Sequence, residues 1–125
     1  MWNNALGVET VTQHVAQVAE GLVNWLQEKA QEAGLRGGVV GLSGGLDSAV
    51  VAALCRRAYR EEMLALILPC HSDPQDIADA RLVAATLDVP FKEVVLDRIF
   101  DDLLHLLDPG GKGDARELAV ANLKP

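Results

Sequence analysis

The sequence predicts an α/β domain built on a parallel sheet with helices on both faces. Short apolar runs alternate with segments of helical periodicity, in the order α-βα-βα-βα-α. Strands that alternate with helices are joined by right-handed crossovers, which make neighbouring strands parallel. The 125 residues are 50% hydrophobic and 23% charged, as is usual for one soluble globular domain. We therefore expect a single domain over residues 1–125.

The first helix is predicted over about residues 8–33. Apolar residues recur there at spacings of three and four, which places them along one stripe of a helix. Gly34 follows and is typical of a helix C-terminus. The stripe consists of Val8, Val11, Val15, Val18, Leu22 and either Trp25 or Leu26.

A strand and a second helix follow, separated by a glycine-rich turn. The strand covers residues 38–42, where valines stand between glycines, and the turn covers Ser43–Gly45. The helix runs from Asp47 to about Arg60. Its residues 49–54 are apolar almost all round, which predicts packing against neighbours on several sides.

The next strand and helix have clear boundary signals. Residues 63–68 form a continuous apolar run that is typical of a buried parallel strand. Asp73 can cap the following helix, Pro74 suits its first position, and Asp76 lies in its first turn. The inward stripe of this helix is predicted to comprise Ile77, Ala80, Ala84 and Leu87.

A short strand and two helical segments are predicted in the last third of the chain. The strand covers residues 91–95. Residues 108–113 have the composition of a mobile loop, and a terminal helix is expected over about residues 115–123. Three strands leave a sheet edge open, so we expect a longer protein or a partner to complete the sheet. The apolar residues of the helix after the strand are Ile99, Leu103, Leu106 and Leu107.

Charge and cysteine content narrow the function class. The chain carries 11 basic and 18 acidic side chains, a formal net charge of -7, which disfavours nucleic acid as a partner. Cys55 and Cys70 are too few for a disulfide framework and are typical of a reducing compartment. No apolar run reaches the roughly 18 residues of a membrane span, and no secretory signal opens the chain. We therefore expect a cytoplasmic protein with no membrane partner.

The strongest functional signal is the loop between the first strand and the second helix. Such a loop lies at the carboxyl end of a parallel strand, where open α/β sheets bind ligands. Its glycines permit close backbone approach, and the helix N-terminus attracts anions. A carboxylate beside phosphates needs a cation between them, so Asp47 predicts Mg²⁺. The predicted phosphate-binding residues are Gly41, Leu42, Ser43, Gly44, Gly45, Leu46, Asp47 and Ser48.

A purely structural interpretation of this loop is a tight turn in which Asp47 or Ser43 caps the helix. The full eight residues between strand and helix favour phosphate binding instead. The loop is neither a Walker P-loop, since no lysine follows the glycines, nor a GxGxxG dinucleotide fingerprint.

The Ser43–Ser48 motif, Ser-Gly-Gly-Leu-Asp-Ser, resembles the pyrophosphate-binding loop of the N-type ATP pyrophosphatases. The flanking segments are similar to those of the ammonia-dependent NAD synthetases. These segments are 24–26, 38–54, 68–72, 75–76 and 79–80, with 121–125 resembling the Asn-x-Lys segment of that family. The resemblance covers nearly the whole chain, although family members run to about twice this length.

The resemblance implies a Rossmann-like fold of the adenine nucleotide alpha hydrolase type, here truncated. It implies a ligase that amidates deamido-NAD to NAD through an acyl-adenylate and releases AMP and pyrophosphate. ATP and ammonia would be the co-substrates, with Mg²⁺ as cofactor and a homodimer as the assembly. Only 42 residues precede Ser43, so use of glutamine would require a separate glutaminase partner.

The resemblance also assigns roles to residues. Gly41 to Ser48 would hold the ATP phosphates, with Asp47 binding Mg²⁺. Backbone near Leu68 would hold adenine or ribose, and Gln75 would reach the nucleotide. No catalytic side chain is implied, because catalysis rests on positioning and charge stabilisation. The nucleotide-binding core is expected over residues 36–107.

Other reactive side chains have plainer interpretations. His71 follows a strand near the site and is better explained as structural or solvent-facing than as a ligand contact. Lys112 belongs to the mobile loop, and Cys70 has no arrangement that favours nucleophilic catalysis. Cys55 is expected to pack within its helix. His14 and His105 have no second ligand at metal spacing, and a solvated first helical turn is predicted for Asp97, Asp101 and Asp102.

Three alternatives to the NAD synthetase hypothesis remain from sequence. The same loop serves other amidating or tRNA-modifying ligases, although the acidic charge disfavours tRNA. A non-catalytic ATP-binding module would bind ATP without releasing pyrophosphate. A fragment that folds but has no role of its own is the third.

Overall fold

The computed structural model describes residues 5–107. The expected parallel sheet with helices is confirmed, and its three strands lie in the order β1-β2-β3. Gly38 pairs with Met63, and Ala65 pairs with Phe91. The elements are α1 (Ala5–Glu32), β1 (Gly38–Gly41), α2 (Leu46–Tyr59), β2 (Met63–Ile67), α3 (Pro74–Thr86), β3 (Phe91–Glu93) and α4 (Asp97–Leu107), with a single 3₁₀ turn (Arg60–Glu62) before β2.

The main core lies between the sheet and helices α2 and α3. Alternate residues of a strand point to one face, and Met63, Ala65 and Ile67 of β2 are all buried. Ala52 of α2 and Ala80 of α3 pack against them with 0% and 1% exposure. Such small side chains let both helix axes approach the sheet closely. Because α2 follows β1 and α3 follows β2 in the chain, the N-termini of both helices lie at the carboxyl edge of the sheet.

Helix α3 begins where the sequence predicts. The Asp73 carboxylate accepts a hydrogen bond of 2.8 Å from the backbone N–H of Gln75, and Pro74 occupies the first turn. Ala80 and Ala84 are buried, with Ile77 and Leu87 packed against the same cluster, so the predicted inward stripe is confirmed.

Among the described side chains of the predicted apolar stripe, Leu26 packs against the main core, while α1 otherwise meets α2 through a different face. Val23 and Ala30 are buried, and the Tyr59 hydroxyl donates to the Leu26 carbonyl at 2.9 Å. Between the two helices Gln27 also donates to the carbonyl of Ala58 at 3.0 Å. The residues of the stripe that stay exposed are Val11, Val15, Val18, Leu22 and Trp25.

Helix α2 packs on more than one side, as predicted, since it contacts α1 as well as strands β1 and β2, although Val50 and Val51 stay 49% and 44% exposed. The packing prediction for α4 is wrong. Helix α4 buries Phe100 and Leu104, which pack with Cys70, because these two residues lie over the end of β2. Strand β3 ends at Glu93, two residues before the predicted end. The apolar residues predicted for α4 are exposed: Ile99, Leu103, Leu106 and Leu107.

Some predictions fall outside the described residues. These are the loop 108–113 with Lys112, the terminal helix and the segment 121–125. Among the described helices, none combines the length and the apolar character that a membrane span requires.

Candidate functional site

The phosphate-loop candidate joins β1 to α2 at the carboxyl edge of the sheet. Leu42 continues the strand pairing, since its N–H donates to the Leu66 carbonyl at 2.8 Å. Its side chain is 4% exposed and belongs to the main core. The chain then leaves the sheet at Ser43, so the loop starts from a fixed point.

Two serine hydroxyls hold the loop in shape. The Ser48 hydroxyl donates to the Gly45 carbonyl at 3.1 Å and accepts from the Ser43 N–H at 3.2 Å. The Ser43 and Ser48 oxygens are 3.0 Å apart, and Ser43 Oγ accepts from the Gly45 N–H at 3.3 Å. A hydroxyl has one proton and two lone pairs, so the Ser43 proton points to Ser48. Both hydroxyl protons are therefore used inside the loop.

Gly44 is required by its conformation and by its surroundings. Its φ is +84°, in the left-handed region that favours glycine. A Cβ atom there would lie 2.8 Å from the Asp76 carbonyl oxygen and 3.0 Å from the Ala80 nitrogen. The loop therefore packs directly against the backbone of α3.

The N-terminus of α2 offers hydrogen-bond donors toward the loop. Gly45 precedes the helix with extended backbone, and no side chain caps the helix. The first-turn N–H groups of any helix lack partners within that helix, and here the turn contains Leu46, Asp47 and Ser48. Oriented amides and the helix dipole attract an anion at this position.

A cavity of about 380 Å³ opens between this loop and the segment that follows β2. Apolar side chains supply much of its wall, while Ser43, Ser48, Ser72 and Asp76 supply polar groups. The lining residues are Gly41, Leu42, Ser43, Ser48, Leu66, Ile67, Leu68, Pro69, Ser72, Asp76, Ile77 and Ala80.

The structure brings several of the predicted site residues to this cavity. Gly41, Leu42, Ser43, Ser48 and Leu68 line it. Gly44, Gly45, Leu46 and Asp47 complete the loop without lining the cavity. Gln75 does not line it either, and its amide donates to the Asp79 carboxylate at 2.8 Å.

Sequence reasoning did not assign the other cavity residues to the site. They come from the end of β2 and the first turns of α3. The carboxyl-edge rule for parallel sheets, applied to β2 as it was to β1, identifies this region. The residues are Leu66, Ile67, Pro69, Ser72, Asp76, Ile77 and Ala80.

The chemistry of the site combines amide donors with nearby carboxylates. Among residues 5–107, no group of three or more potential metal ligands comes together. Asp47 is exposed in the first turn of α2 and offers a carboxylate oxygen, the ligand type that Mg²⁺ prefers. Mg²⁺ is commonly held by one or two carboxylates together with substrate phosphates, so a single aspartate here fits that ion.

The described cysteines lie away from solvent. Cys55 and Cys70 are both buried and outside any disulfide among the described residues, and burial raises the pKa of the Cys55 thiol. A raised pKa lowers the thiolate fraction, which opposes nucleophilic reactivity. The expected packing of Cys55 within its helix is confirmed.

The carboxylates at the start of α4 make contacts that the sequence did not predict. The prediction of a solvated turn is confirmed for Asp101 and Asp102, which are 59% and 72% exposed, while Asp97 is half-buried. Asp97 and Asp101 also bind His71: its N–H and its Nε2 lie 2.8 Å from their respective carboxylate oxygens.

Comparisons with known proteins identify the family of the chain. The model of the NAD synthase family matches residues 18–125. The chain is 46% identical over 106 residues to the NH(3)-dependent NAD(+) synthetase of Carboxydothermus hydrogenoformans, covering 85% of this chain and 44% of that protein. The chain therefore spans less than half the length of this curated relative.

Two solved structures share the fold. One is the NH3-dependent NAD synthetase from Campylobacter jejuni in complex with the nitrate ion, with a TM-score of 0.70 and 32% identity. That match covers 82% of this chain and 44% of the other. The other is the NMN synthetase from Francisella tularensis, with a TM-score of 0.71 and 30% identity, covering 78% and 41%.

Proposed function

Because the chain belongs to the NAD synthase family, we propose that it binds ATP as part of an ammonia-dependent NAD synthetase. The reaction is the amidation of deamido-NAD to NAD, with release of AMP and pyrophosphate. The observation that carries the proposal is the glycine loop, which Ser43 and Ser48 hold beside the uncapped N-terminus of α2 and a cavity of about 380 Å³. We assign nucleotide binding to residues 36–107.

In this proposal the loop Gly41–Ser48 binds the ATP phosphates through its backbone. The amides of the first turn of α2 supply the donors, and the helix dipole adds a favourable field. The serine network supports this role, because both hydroxyls are committed to holding the loop open. The donors are thus arranged before the ligand arrives, which reduces the reorganisation that binding requires.

Asp47 is proposed to hold Mg²⁺ between its carboxylate and the phosphates. The ion would neutralise phosphate charge and stabilise the pyrophosphate leaving group. The geometry of the first turn of α2 supports this role, since it presents the carboxylate next to the amides that face the phosphates.

The part of the cavity near Leu68 is proposed to hold adenine or ribose. Leu68 lines the cavity beside Pro69 and Ile77, which gives an apolar surface for the base. Gln75 is proposed to reach the nucleotide only after its amide leaves the Asp79 carboxylate, to which it now donates.

The chemistry calls for no protein nucleophile. A carboxylate is a poor electrophile, and adenylation gives it AMP as a leaving group that ammonia displaces. The chain contributes positioning and charge stabilisation. Burial of both cysteines supports a mechanism without a protein nucleophile. Two cysteines outside any disulfide among the described residues support a reducing, cytoplasmic location.

We also propose that the protein is a homodimer and that α1 contributes to the interface. Its exposed apolar residues are spaced by four and three in turn, the seam of a helix that packs against another helix. Sedimentation should then show a dimer that Leu22→Asp converts to a monomer. A monomeric wild-type chain at all concentrations would contradict the proposal.

A second candidate substrate is nicotinic acid mononucleotide. The fold is equally similar to that of an NMN synthetase and that of an NAD synthetase, with TM-scores of 0.71 and 0.70, so the shared fold does not separate the two. A non-catalytic ATP-binding module and a tRNA-modifying ligase are the remaining alternatives. If glutamine rather than ammonia supplies the nitrogen, we propose that a separate glutaminase partner provides it.

Phosphorus NMR of the reaction tests the proposed function. The chain is incubated with ATP, Mg²⁺ and ammonium, and with either deamido-NAD or the mononucleotide. Equal formation of AMP, pyrophosphate and NAD supports the proposal, while product from the mononucleotide alone supports the second candidate. Bound but unconverted ATP is the result expected both for the non-catalytic module and for a chain that carries only the ATP-binding part of the enzyme. Glutamine in place of ammonium tests the nitrogen source.

A further inference from the structure

The segment that follows β2 lies between the cavity and helix α4. Pro69 and Ser72 line the cavity. Cys70 packs against Phe100 and Leu104 of α4, with His71 beside it. Cys70 and His71 therefore contact α4, while Pro69 and Ser72 form part of the cavity wall.

His71 makes three contacts with α4. Its backbone N–H donates to Asp97 Oδ1 at 2.8 Å. Its Nε2 lies 2.8 Å from Asp101 Oδ1. Its ring meets the Phe100 ring edge-on, with centroids 5.7 Å apart and planes at 74°. Helix α4 thus contacts the backbone, the ring nitrogen and the ring of His71.

The backbone of His71 has a φ of 48°. Positive φ is uncommon for residues other than glycine and persists where the surroundings enforce it. The contacts with Asp97, Phe100 and Asp101 provide that enforcement. Another hydrogen bond fixes the segment that follows β2: the Leu96 N–H donates to the Pro69 carbonyl at 2.7 Å.

We propose that His71 is a positioning residue for nucleotide binding. It acts through its hydrogen bonds with Asp97 and Asp101, which are together called the clasp. The clasp fixes the turn at residues 70–71, and the turn sets where Pro69 and Ser72 stand in the cavity wall. This inference rests on the proposed ATP site. It gives the start of α4 a role in binding although no described residue of α4 lines the cavity.

Calorimetry of Mg²⁺-ATP binding tests the clasp, at a temperature where every variant is folded by circular dichroism. Asp101→Ala removes the acceptor for His71 Nε2 and is expected to raise the ATP dissociation constant about fivefold, as loss of one such hydrogen bond implies. Asp101→Asn keeps an acceptor and is expected to restore most of the affinity. Asp102→Ala, one residue along and 72% exposed, is the matched control and should bind like wild type.

A double-mutant cycle makes the test specific to the pair. His71→Ala and Asp101→Ala should weaken binding to a similar extent, and the double variant should be no weaker than His71→Ala. Equal affinity of wild type, Asp101→Ala and His71→Ala would overturn the clasp and leave the proposed function intact. Absence of ATP binding by the wild-type chain would overturn the proposed function and, with it, the clasp.

Discussion

The hydroxyl oxygens of Ser43 and Ser48 lie 3.0 Å apart and close the loop between β1 and α2. Ser48 donates to the Gly45 carbonyl and accepts from the Ser43 backbone, so each hydroxyl serves the loop itself. Because the Ser43 and Gly45 N–H groups also donate within this network, the proposed donors to phosphate are the amides of the first turn of α2. This relationship gives the two serines a role in arranging donors rather than in contacting phosphate.

Loss of the Ser48 hydroxyl should weaken ATP binding without unfolding the chain. Ser48→Ala removes three hydrogen bonds of the loop, and we expect the ATP dissociation constant to rise about tenfold, or ~1.4 kcal/mol. Calorimetry of Ser43→Ala, Ser48→Ala and the double variant measures their coupling. The effects should be less than additive, because the two residues share one network.

A matched control for the serine variants is Thr86→Ala. Its hydroxyl bonds the Leu82 carbonyl at 2.8 Å near the end of α3 that lies away from the loop. This variant should bind ATP like wild type. Strict additivity of the two serine effects would refute the shared network.

A side chain at position 44 should disrupt both the loop and its contact with α3. Gly44→Ala forces alanine to a φ of +84°, which costs about 1–2 kcal/mol. It also places Cβ against the Asp76 carbonyl. We expect the free energy of unfolding, measured with urea, to fall by at least ~2 kcal/mol, together with loss of ATP binding.

Gly21→Ala is a control for which we expect the opposite change in the free energy of unfolding. No atom lies within 4 Å of a Cβ built at Gly21, which sits inside helix α1. Alanine in a helix interior is favoured over glycine by about 0.5–1 kcal/mol, so this variant should be more stable than wild type. A Gly44→Ala protein of wild-type stability would show that the loop does not require glycine there.

The sequence predicted the strands, the helix boundaries and the loop because each has a local cause. Asp73 and Pro74 signal the start of α3, and the glycines of the loop signal the turn. The packing of α1 could not be predicted this way, since its valine stripe and its Val23–Ala30 face are both apolar. Only the tertiary contacts, such as that of Tyr59 with Leu26, show which face meets α2.

The cavity wall was only partly predictable for a similar reason. Leu68 and the loop follow from their own motifs, but Ser72 and Asp76 join the cavity because two parallel strands bring separate segments to one edge. The binding of His71 by Asp97 and Asp101 joins residues about 30 apart in the chain. No local pattern indicates such a contact.

Neutralising Asp47 should remove the dependence of ATP affinity on Mg²⁺. Asp47→Asn keeps the size of the side chain but loses the charge that holds the ion. We expect Mg²⁺ to strengthen ATP binding by wild type about tenfold and to have little effect on the variant. Glu28→Gln, an exposed change on α1, is the control, and an undiminished Mg²⁺ effect in Asp47→Asn would exclude the role.

The Tyr59 hydroxyl should stabilise the docking of α1 at neutral pH and lose this effect in alkali. Burial raises the pKa of Tyr59 above its ordinary value of 10.0, and the charge of Cys55 raises it further. The folded state therefore holds the phenol proton more tightly than the unfolded chain. The stabilisation is complete below about pH 10 and is lost as the pH rises through the folded pKa.

Urea unfolding of Tyr59→Phe measures this contribution. The variant loses the bond to the Leu26 carbonyl and should be about 1 kcal/mol less stable at pH 7. The difference from wild type should shrink as the pH rises above about 10. A difference that stays constant across this range would show that the hydroxyl proton is not involved.

The central claim is that the loop Gly41–Ser48 binds the phosphates of ATP, and amide NMR tests it most directly. Mg²⁺-ATP is titrated into the ¹⁵N-labelled chain while every backbone amide is followed. The largest shifts should fall on residues 43–48, with smaller shifts at residues 68–72. Shifts confined to the hollow at the opposite edge of the sheet, lined by residues 35–39 and 61–64, or no shifts at all, would contradict the claim.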